Sequence, residues 1–219
     1  MDGDSRKIPT HETTYATLRD MILFGHLEPG APVTIQGLVA DLGAGMTPVR
    51  EAIRRLTAEG ALEPQGNRRV AVPRLTASTL DQVAFARLSI EPKLAQMAGA
   101  RLTPALIARL SALDGAVDRA IVAGDIPGYL ASNHAFHFCL YEASQAPVLV
   151  DMARSMWLRF GPSLRIVCAR YGREALPDRH GEALAAMAAG DAAALQDAIY
   201  RDLSQGVDQV RLALDQGEI

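Results

Sequence analysis

Apolar and polar residues follow two different patterns along the chain. Up to about residue 75, apolar positions form short helical repeats that glycine or proline interrupts at close intervals. Beyond residue 76, long stretches carry apolar residues at three- and four-residue spacing and show almost no strand-like alternation. We therefore expect two domains, residues 11–75 and 76–219, preceded by a polar, aperiodic and flexible arm over residues 1–10.

Three short helices are predicted in the first domain. Tyr15, Leu18 and Ile22 share one face of the first helix. The second helix repeats this pattern over residues 35–42, and the third does so over residues 47–59.

The segment between the second and third helices favours a tight turn. Gly43 and Gly45 permit a sharp change of direction, and two helices joined in this way form a helix-turn-helix pattern. Thr47 is expected to be the N-cap of the third helix, because its side-chain oxygen can accept from a free backbone N–H. Pro48 suits the first helical position.

Basic side chains are concentrated after this turn. Arg50 and Arg54 lie four residues apart, on the face of the third helix opposite its apolar stripe. Residues 61–73 predict two strands around a turn, so that Arg68 and Arg69 lie on a β-wing. Helix and wing would then present one basic surface to DNA. The alternative is that these arginines only solvate an exposed surface.

The motif TPVREAIRRL...EG resembles the winged helix-turn-helix domain of GntR-family bacterial transcription regulators, and the similarity extends over roughly the first third of the chain. The resemblance implies that residues of the third helix and a wing glycine contact operator DNA. The full candidate DNA-binding set is Thr47, Arg50, Arg54, Gly66, Asn67, Arg68 and Arg69. The chain has Met46 where the family often has arginine and Gln36 where it often has a charged residue, which changes the contacts available to the operator.

The second domain is predicted to be an all-α bundle of six helices. Gly124 and Gly190 are expected to end helices, and Asp125 and Asp191 to cap the helices that follow. The predicted helices span residues 78–101, 104–123, 127–143, 147–171, 178–189 and 192–215.

Polar residues interrupt the apolar faces of three of these helices. Asn133 and His137 lie four residues apart on one stripe, while His180 and Asp202 lie on apolar faces of later helices. Buried polar groups need partners, and imidazole nitrogens, a carboxylate and an amide oxygen can together bind a divalent metal. Separate satisfied core groups are the alternative.

This second domain is similar to the FCD effector-binding domains of the FadR subfamily, and its six predicted helices suggest the shorter VanR-like type. Many of these domains hold a metal with an Asp and a His four residues apart and with two later His residues. In this chain those positions are Asn133, His137, His180 and Asp202. Such a set is expected to bind Zn²⁺, Mn²⁺ or Ni²⁺, and a metal-free pocket that binds the ligand directly is the alternative.

The resemblance also implies a small effector, often a carboxylate or a sugar acid. Arg87 matches a frequent effector-contacting arginine, and its forked donors suit a carboxylate. Trp157 and Arg165 on the fourth helix are weaker candidates, for which core packing and an exposed salt bridge are the alternatives.

Composition limits the class of protein. The chain has 22 basic and 25 acidic residues, a net charge of −3, so its basic surface is local. Two cysteines, Cys139 and Cys168, are too few for a disulfide framework or a thiolate metal cluster. We find no signal peptide and no apolar run of membrane-spanning length, and we expect a soluble cytoplasmic protein without a membrane partner.

These patterns predict a ligand-responsive, DNA-binding transcription regulator, a repressor that acts on double-stranded operator DNA. A homodimer is expected, because one helix and one wing make few base contacts. Two other functions were weighed. A metal-dependent hydrolase-like enzyme lacks a nearby general base and a G-x-S-x-G nucleophile motif, and a winged-helix protein-interaction module does not need the basic surface.

Overall fold

The structure is a computed structural model that describes residues 10–171 and 176–218. The chain forms two compact units with a boundary between Arg74 and Leu75. The predicted flexible arm lies outside the described residues except for Thr10. Within the described ranges, no helix combines the length and the apolar character needed to cross a membrane.

The first unit contains three helices and a small antiparallel sheet. The strand order is β1-β3-β2, and Val70 of the central strand faces Val33 on one side and Pro64 on the other. The elements are α1 (His11–Leu23), β1 (Val33–Thr34), α2 (Ile35–Leu42), α3 (Met46–Ala58), β2 (Glu63–Pro64) and β3 (Arg69–Ala71). The winged helix-turn-helix prediction is confirmed.

The core of this unit lies between α1 and α3. Leu18 and Ile22 of α1 and Val49 and Leu56 of α3 are fully buried. These residues recur at four- and seven-residue spacing, so each helix turns one apolar face inward. The opposite face of α3 is left to solvent.

The start of α3 differs from the prediction. Thr47 is not the N-cap, because the helix begins at Met46 and Gly45 occupies the cap position without a side-chain hydrogen bond. Pro48 is therefore the third helical residue instead of the first. Proline fits there because the backbone N–H groups of the first turn have no partner within the helix.

The second unit is an all-α bundle. Gly124 and Gly190 adopt left-handed φ angles of 65° and 68° at helix ends, and Asp125 and Asp191 cap the helices that follow, as predicted. The helices are α4 (Ala77–Gly99), α5 (Pro104–Ala123), α6 (Ile126–Glu142), α7 (Pro147–Phe160), α8 (Arg165–Tyr171), α9 (Arg179–Ala189) and α10 (Ala192–Asp215).

The single helix predicted over residues 147–171 is divided. It ends at Phe160, continues as a short 3₁₀ turn over Gly161–Leu164 and resumes as α8. Pro162 lacks the N–H that a continuous helix requires, and its ring would clash with the preceding turn. The described part of the bundle thus has seven α-helices where six were predicted.

Helix packing surrounds an internal space. α4 packs along α10 and α7, α5 packs along α6, and α9 packs against both α5 and α10. Side chains from these helices line a cavity of about 340 Å³. The cavity has the size and position typical of a small-molecule site between the helices of a bundle.

Candidate functional sites

The outward face of α3 carries the predicted basic residues. Thr47, Arg50 and Arg54 are exposed, whereas Val49 and Ile53 between them are buried. Arg54 forms an exposed ion pair with Glu51 at 2.6 Å. Within the described ranges, Arg50 has no acidic partner, so its guanidinium is available to a phosphate or a base edge.

The wing is a tight turn between β2 and β3. Gly66, Asn67 and Arg68 adopt successive positive φ angles of 70°, 45° and 58°, and Arg69 N–H donates to the Gly66 carbonyl at 2.9 Å. Left-handed geometry is unfavourable for a residue with a side chain such as Arg68, so it persists only where the surrounding hydrogen bonds impose it. The turn exposes all four residues, from Gly66 to Arg69.

Arg55 has a different environment from the other arginines of α3. Its guanidinium lies 3.7 Å from the ring centre of Tyr15 and pairs with Glu59 and Glu12. Burial, together with the hydrogen bond that Tyr15 donates to Glu59, raises the pKa of the tyrosine. Arg55 therefore ties α3 to α1, which explains its place outside the candidate DNA-binding set.

All four residues predicted to bind metal line the cavity of the second unit. His137 Nε2 lies 3.2 Å from one carboxylate oxygen of Asp202, and His180 Nε2 lies 3.9 Å from the other. One ligand atom from each of these three residues lies within 4.8 Å of the others. Asn133 is buried on α6 and lines the same cavity.

The environment of His180 fixes which of its nitrogens can bind a metal. Its Nδ1 lies 3.0 Å from Asp114 Oδ1, and a carboxylate only accepts hydrogen bonds. Nδ1 is then the protonated nitrogen, which leaves the Nε2 lone pair directed toward Asp202. Two imidazole nitrogens and a carboxylate oxygen form a donor set that suits Zn²⁺, Mn²⁺ or Ni²⁺.

Burial and local charge set the protonation of the three groups. Burial lowers the pKa of His137, with Asp202 opposing the shift. Burial also lowers the pKa of His180, but the hydrogen bond to Asp114 and the charge of Asp202 outweigh it, so that this pKa is raised. Burial raises the pKa of Asp202, yet the neighbouring imidazoles of His137 and His180 bring it below its usual range. Asp202 is therefore an anion at neutral pH.

Two of the three predicted effector-binding residues line the same cavity. Arg87 is buried beside Trp157, and its guanidinium lies 4.6 Å from the Trp157 ring centre. Arg87 also pairs with the buried carboxylate of Glu91, one helical turn further along α4. Arg165 is half-buried at the start of α8 and is not among the described residues that line the cavity.

Three residues with polar roles at this site were not predicted. Asp114 bonds His180, Tyr141 bonds His137, and Glu91 accepts from Tyr141 at 2.8 Å. Two of them carried a local signal, because Glu91 follows Arg87 by four residues and Tyr141 follows His137 by four residues. Asp114 carried none, since its partner lies on a different helix.

Two family models match the chain. Residues 10–72 match the model described as bacterial regulatory proteins, gntR family. Residues 82–205 match the FCD domain model, which alone covers more than half of the chain.

Curated relatives and solved structures agree with these matches. The chain is 32% identical to the HTH-type transcriptional regulator McbR of Escherichia coli (strain K12) over 147 residues, 67% of this chain and 66% of the relative. It is 33% identical to the Nta operon transcriptional regulator of Aminobacter aminovorans over 133 residues, 60% of this chain and 62% of the relative. Both alignments span just under two thirds of the relative. The solved structure of E. coli McbR/YncC matches with a TM-score of 0.80 and 27% identity over 95% of this chain and 98% of that chain.

Proposed function

Because the chain belongs to the GntR family of bacterial transcription regulators and carries an FCD domain, we propose that it is a repressor that a small carboxylate-type metabolite releases from its operator. The matched families are regulators and not enzymes, so the hydrolase alternative is set aside. The observation that carries the proposal is the pairing of an exposed basic helix face with a cavity that holds His137, His180 and Asp202.

The DNA-binding half of the proposal depends on α3 and the wing. Arg50 and Arg54 are in reach of base edges if α3 enters the major groove, while Arg68 and Arg69 reach phosphates from the wing. The order of helices, the three-residue turn over residues 43–45 and the exposure of all these arginines support this docking mode. Operator DNA lies in the bacterial cytoplasm, where we propose that the protein acts.

The sensing half depends on the cavity. We propose that His137, His180 and Asp202 hold a divalent metal, with the Asn133 amide oxygen as a further ligand. The metal would supply positive charge to bind a carboxylate of the effector. We favour a metal over Arg87 as the group that binds the effector carboxylate, because the guanidinium of Arg87 already forms an ion pair with Glu91.

The remaining charges of the cavity constrain the rest of the effector. Asp114, Asp118 and Asp178 contribute to its lining, and burial together with the other two carboxylates raises the pKa of Asp118. A lining that carries several carboxylates favours a ligand with hydrogen-bond donors over a ligand with further negative charge. We therefore propose an effector that carries hydroxyl or ammonium groups in addition to its carboxylate.

A homodimer is the form we propose to bind the operator. Phe85 on α4 and Val148 and Met152 on α7 are apolar side chains that are 76%, 71% and 50% exposed. The two helices pack against each other, and Val148 and Met152 share one face of α7. We propose that these exposed apolar side chains form the interface between the two protomers. A twofold dimer would match a pseudo-palindromic operator.

The test is DNA binding measured by fluorescence anisotropy with an operator recovered by in vitro selection from genomic fragments. The proposal predicts that affinity falls steeply as salt rises, because cations are released from the phosphates. It also predicts that a hydroxy- or amino-carboxylate weakens the binding when Zn²⁺ is present. Failure to enrich any DNA sequence would favour the protein-interaction module. Effector release that does not depend on metal would favour the metal-free pocket.

A further inference from the structure

A buried carboxylate, Glu91, lies next to the proposed metal site but does not face it. Its side chain is fully buried on α4 and accepts hydrogen bonds from three different residues. Arg87 Nε donates to Oε1, while Trp157 Nε1 and Tyr141 OH donate to Oε2 at 2.9 Å and 2.8 Å. This group connects α4, α6 and α7 at one point.

The direction of each hydrogen bond in this group follows from chemistry. A guanidinium and an indole N–H can only donate, so Glu91 is the acceptor for both. A tyrosine hydroxyl carries its proton at neutral pH, and Tyr141 donates that proton to Oε2 of Glu91 at 2.8 Å. The Tyr141 hydroxyl has only this one proton. The oxygen of Tyr141 is then free only to accept, and the group that faces it is His137 Nδ1 at 3.0 Å.

We infer that Tyr141, held by Glu91, is a positioning residue that places the proton of His137 on Nδ1 and leaves the Nε2 lone pair for a metal. Without Tyr141 the proton would move to Nε2, because Asp202 Oδ2 lies 3.2 Å away and accepts it there. A protonated Nε2 cannot bind a metal. Glu91 and Tyr141 thus do for His137 what Asp114 does for His180.

The inference also assigns a role to Arg87 and Trp157 that differs from effector contact. Both residues fix Glu91 as an acceptor, and both line the cavity. The inference rests on the metal-binding part of the proposed function. The experiment below distinguishes a failure of metal binding from a failure of the inference.

The experiment compares the wild-type protein with Tyr141→Phe, which removes one hydroxyl and keeps the ring. The matched control is Tyr200→Phe, since Tyr200 is a half-exposed tyrosine on α10. In metal-free, ¹⁵N-histidine-labelled protein, the imidazole nitrogen shifts of His137 report which nitrogen carries the proton. Zn²⁺ affinity is measured separately by competition with a chelating dye, and circular dichroism monitors the fold.

We expect Tyr141→Phe to move the His137 proton from Nδ1 toward Nε2 and to weaken Zn²⁺ binding by roughly 10- to 100-fold, as loss of a hydrogen bond to a metal-binding histidine does elsewhere. Tyr200→Phe should change neither. An unchanged His137 signal in Tyr141→Phe overturns the inference. A wild-type protein that binds no Zn²⁺ but shows the proton shift in Tyr141→Phe would remove the metal from the proposed function and leave the positioning role of Tyr141 in place.

Discussion

Asp202 supplies the one carboxylate among the three groups that converge in the cavity, and its neighbours His137, His180 and Arg87 lower its pKa against the effect of burial. Asp202→Asn keeps the shape of the side chain and removes its charge. Since loss of an outer hydrogen-bond partner alone costs about 10- to 100-fold in metal affinity, loss of the charged ligand should cost at least about tenfold. The measurement is zinc content by elemental analysis after dialysis against a fixed free Zn²⁺ concentration.

The matched control for this prediction is Asp208→Asn, because Asp208 is an exposed residue of the same helix. It should retain the zinc content of the wild type. Equal zinc content in all three proteins would mean that the ion binds elsewhere or through the histidines alone.

Arg50 offers a second prediction at the level of one side chain. Arg50→Ala should lower affinity for the selected operator by roughly 1 to 3 kcal/mol, because an arginine that reads a base edge is lost. Arg109→Ala, an exposed arginine on α5, is the control and should bind as the wild type does. Titrations on operator DNA and on random DNA distinguish a base contact from a phosphate contact. A loss of the same size on both would reassign Arg50 to phosphate contact.

Spacing within one helix was enough to indicate which polar residues of α6 lie in the cavity. Asn133 and His137 stand out as polar positions on an apolar stripe, and the structure places them in the cavity with His180 and Asp202. The partners Asp114 and Glu91 did not stand out. The role of Asp114 arises from which helices face each other, and spacing along one helix does not contain that information. Glu91 did carry a local signal, its four-residue spacing from Arg87, but its contacts with α6 and α7 do not follow from that spacing.

At the scale of elements, local chemistry accounts for most of the boundaries. Glycine at a helix end followed by a capping aspartate was enough to locate the start of α6 and of α10. The break at Pro162 and the start of α3 at Met46 were missed. At Pro162 an apolar repeat continues across the true boundary, so periodicity alone extends the helix. At α3 the capping preference of Thr47 suggested too late a start, whereas Gly45 is the cap residue. Strand β1 was also missed, because two residues are too few to show alternation.

The turn between α2 and α3 sets the geometry of the DNA-binding motif. Gly43 has a left-handed φ of 58° with open space around its Cα, so a Cβ meets strain but no clash. Gly43→Ala should therefore lower the free energy of unfolding by about 1 to 2 kcal/mol. Thermal unfolding followed by circular dichroism measures the change.

Gly45→Ser is the control for this turn. Gly45 has an ordinary extended backbone with φ −69°, and serine can add the side-chain cap that α3 lacks. We expect no loss of stability from this variant. If Gly43→Ala is as stable as the wild type, the turn is able to relax and does not fix the angle between the helices.

At the scale of the whole molecule, the proposed regulation requires that effector binding by the second unit and DNA binding by the first unit affect each other. An effector changes DNA binding only if it binds one of two arrangements of the protein more tightly than the other. The polar network of the second unit gives the effector a direct connection to rigid elements, because groups that line the cavity also join α4, α6 and α7. A ligand that altered this network would alter α4 and α7, two helices that carry exposed apolar residues.

A charged substitution among the exposed apolar residues Phe85, Val148 and Met152 tests whether a dimer is the DNA-binding form. Met152→Glu places a charge where an apolar side chain is half-exposed on α7, so burial in an interface would become unfavourable. We expect the variant to sediment as a monomer at concentrations where the wild type is a dimer, and to bind the operator more weakly, since a monomer contacts one half-site only. Tyr200→Glu, a charge at another exposed aromatic residue on α10, should stay dimeric. If Met152→Glu remains a dimer with full operator affinity, the partner surface lies elsewhere, and the exposed side chains of α4 and α7 need another explanation.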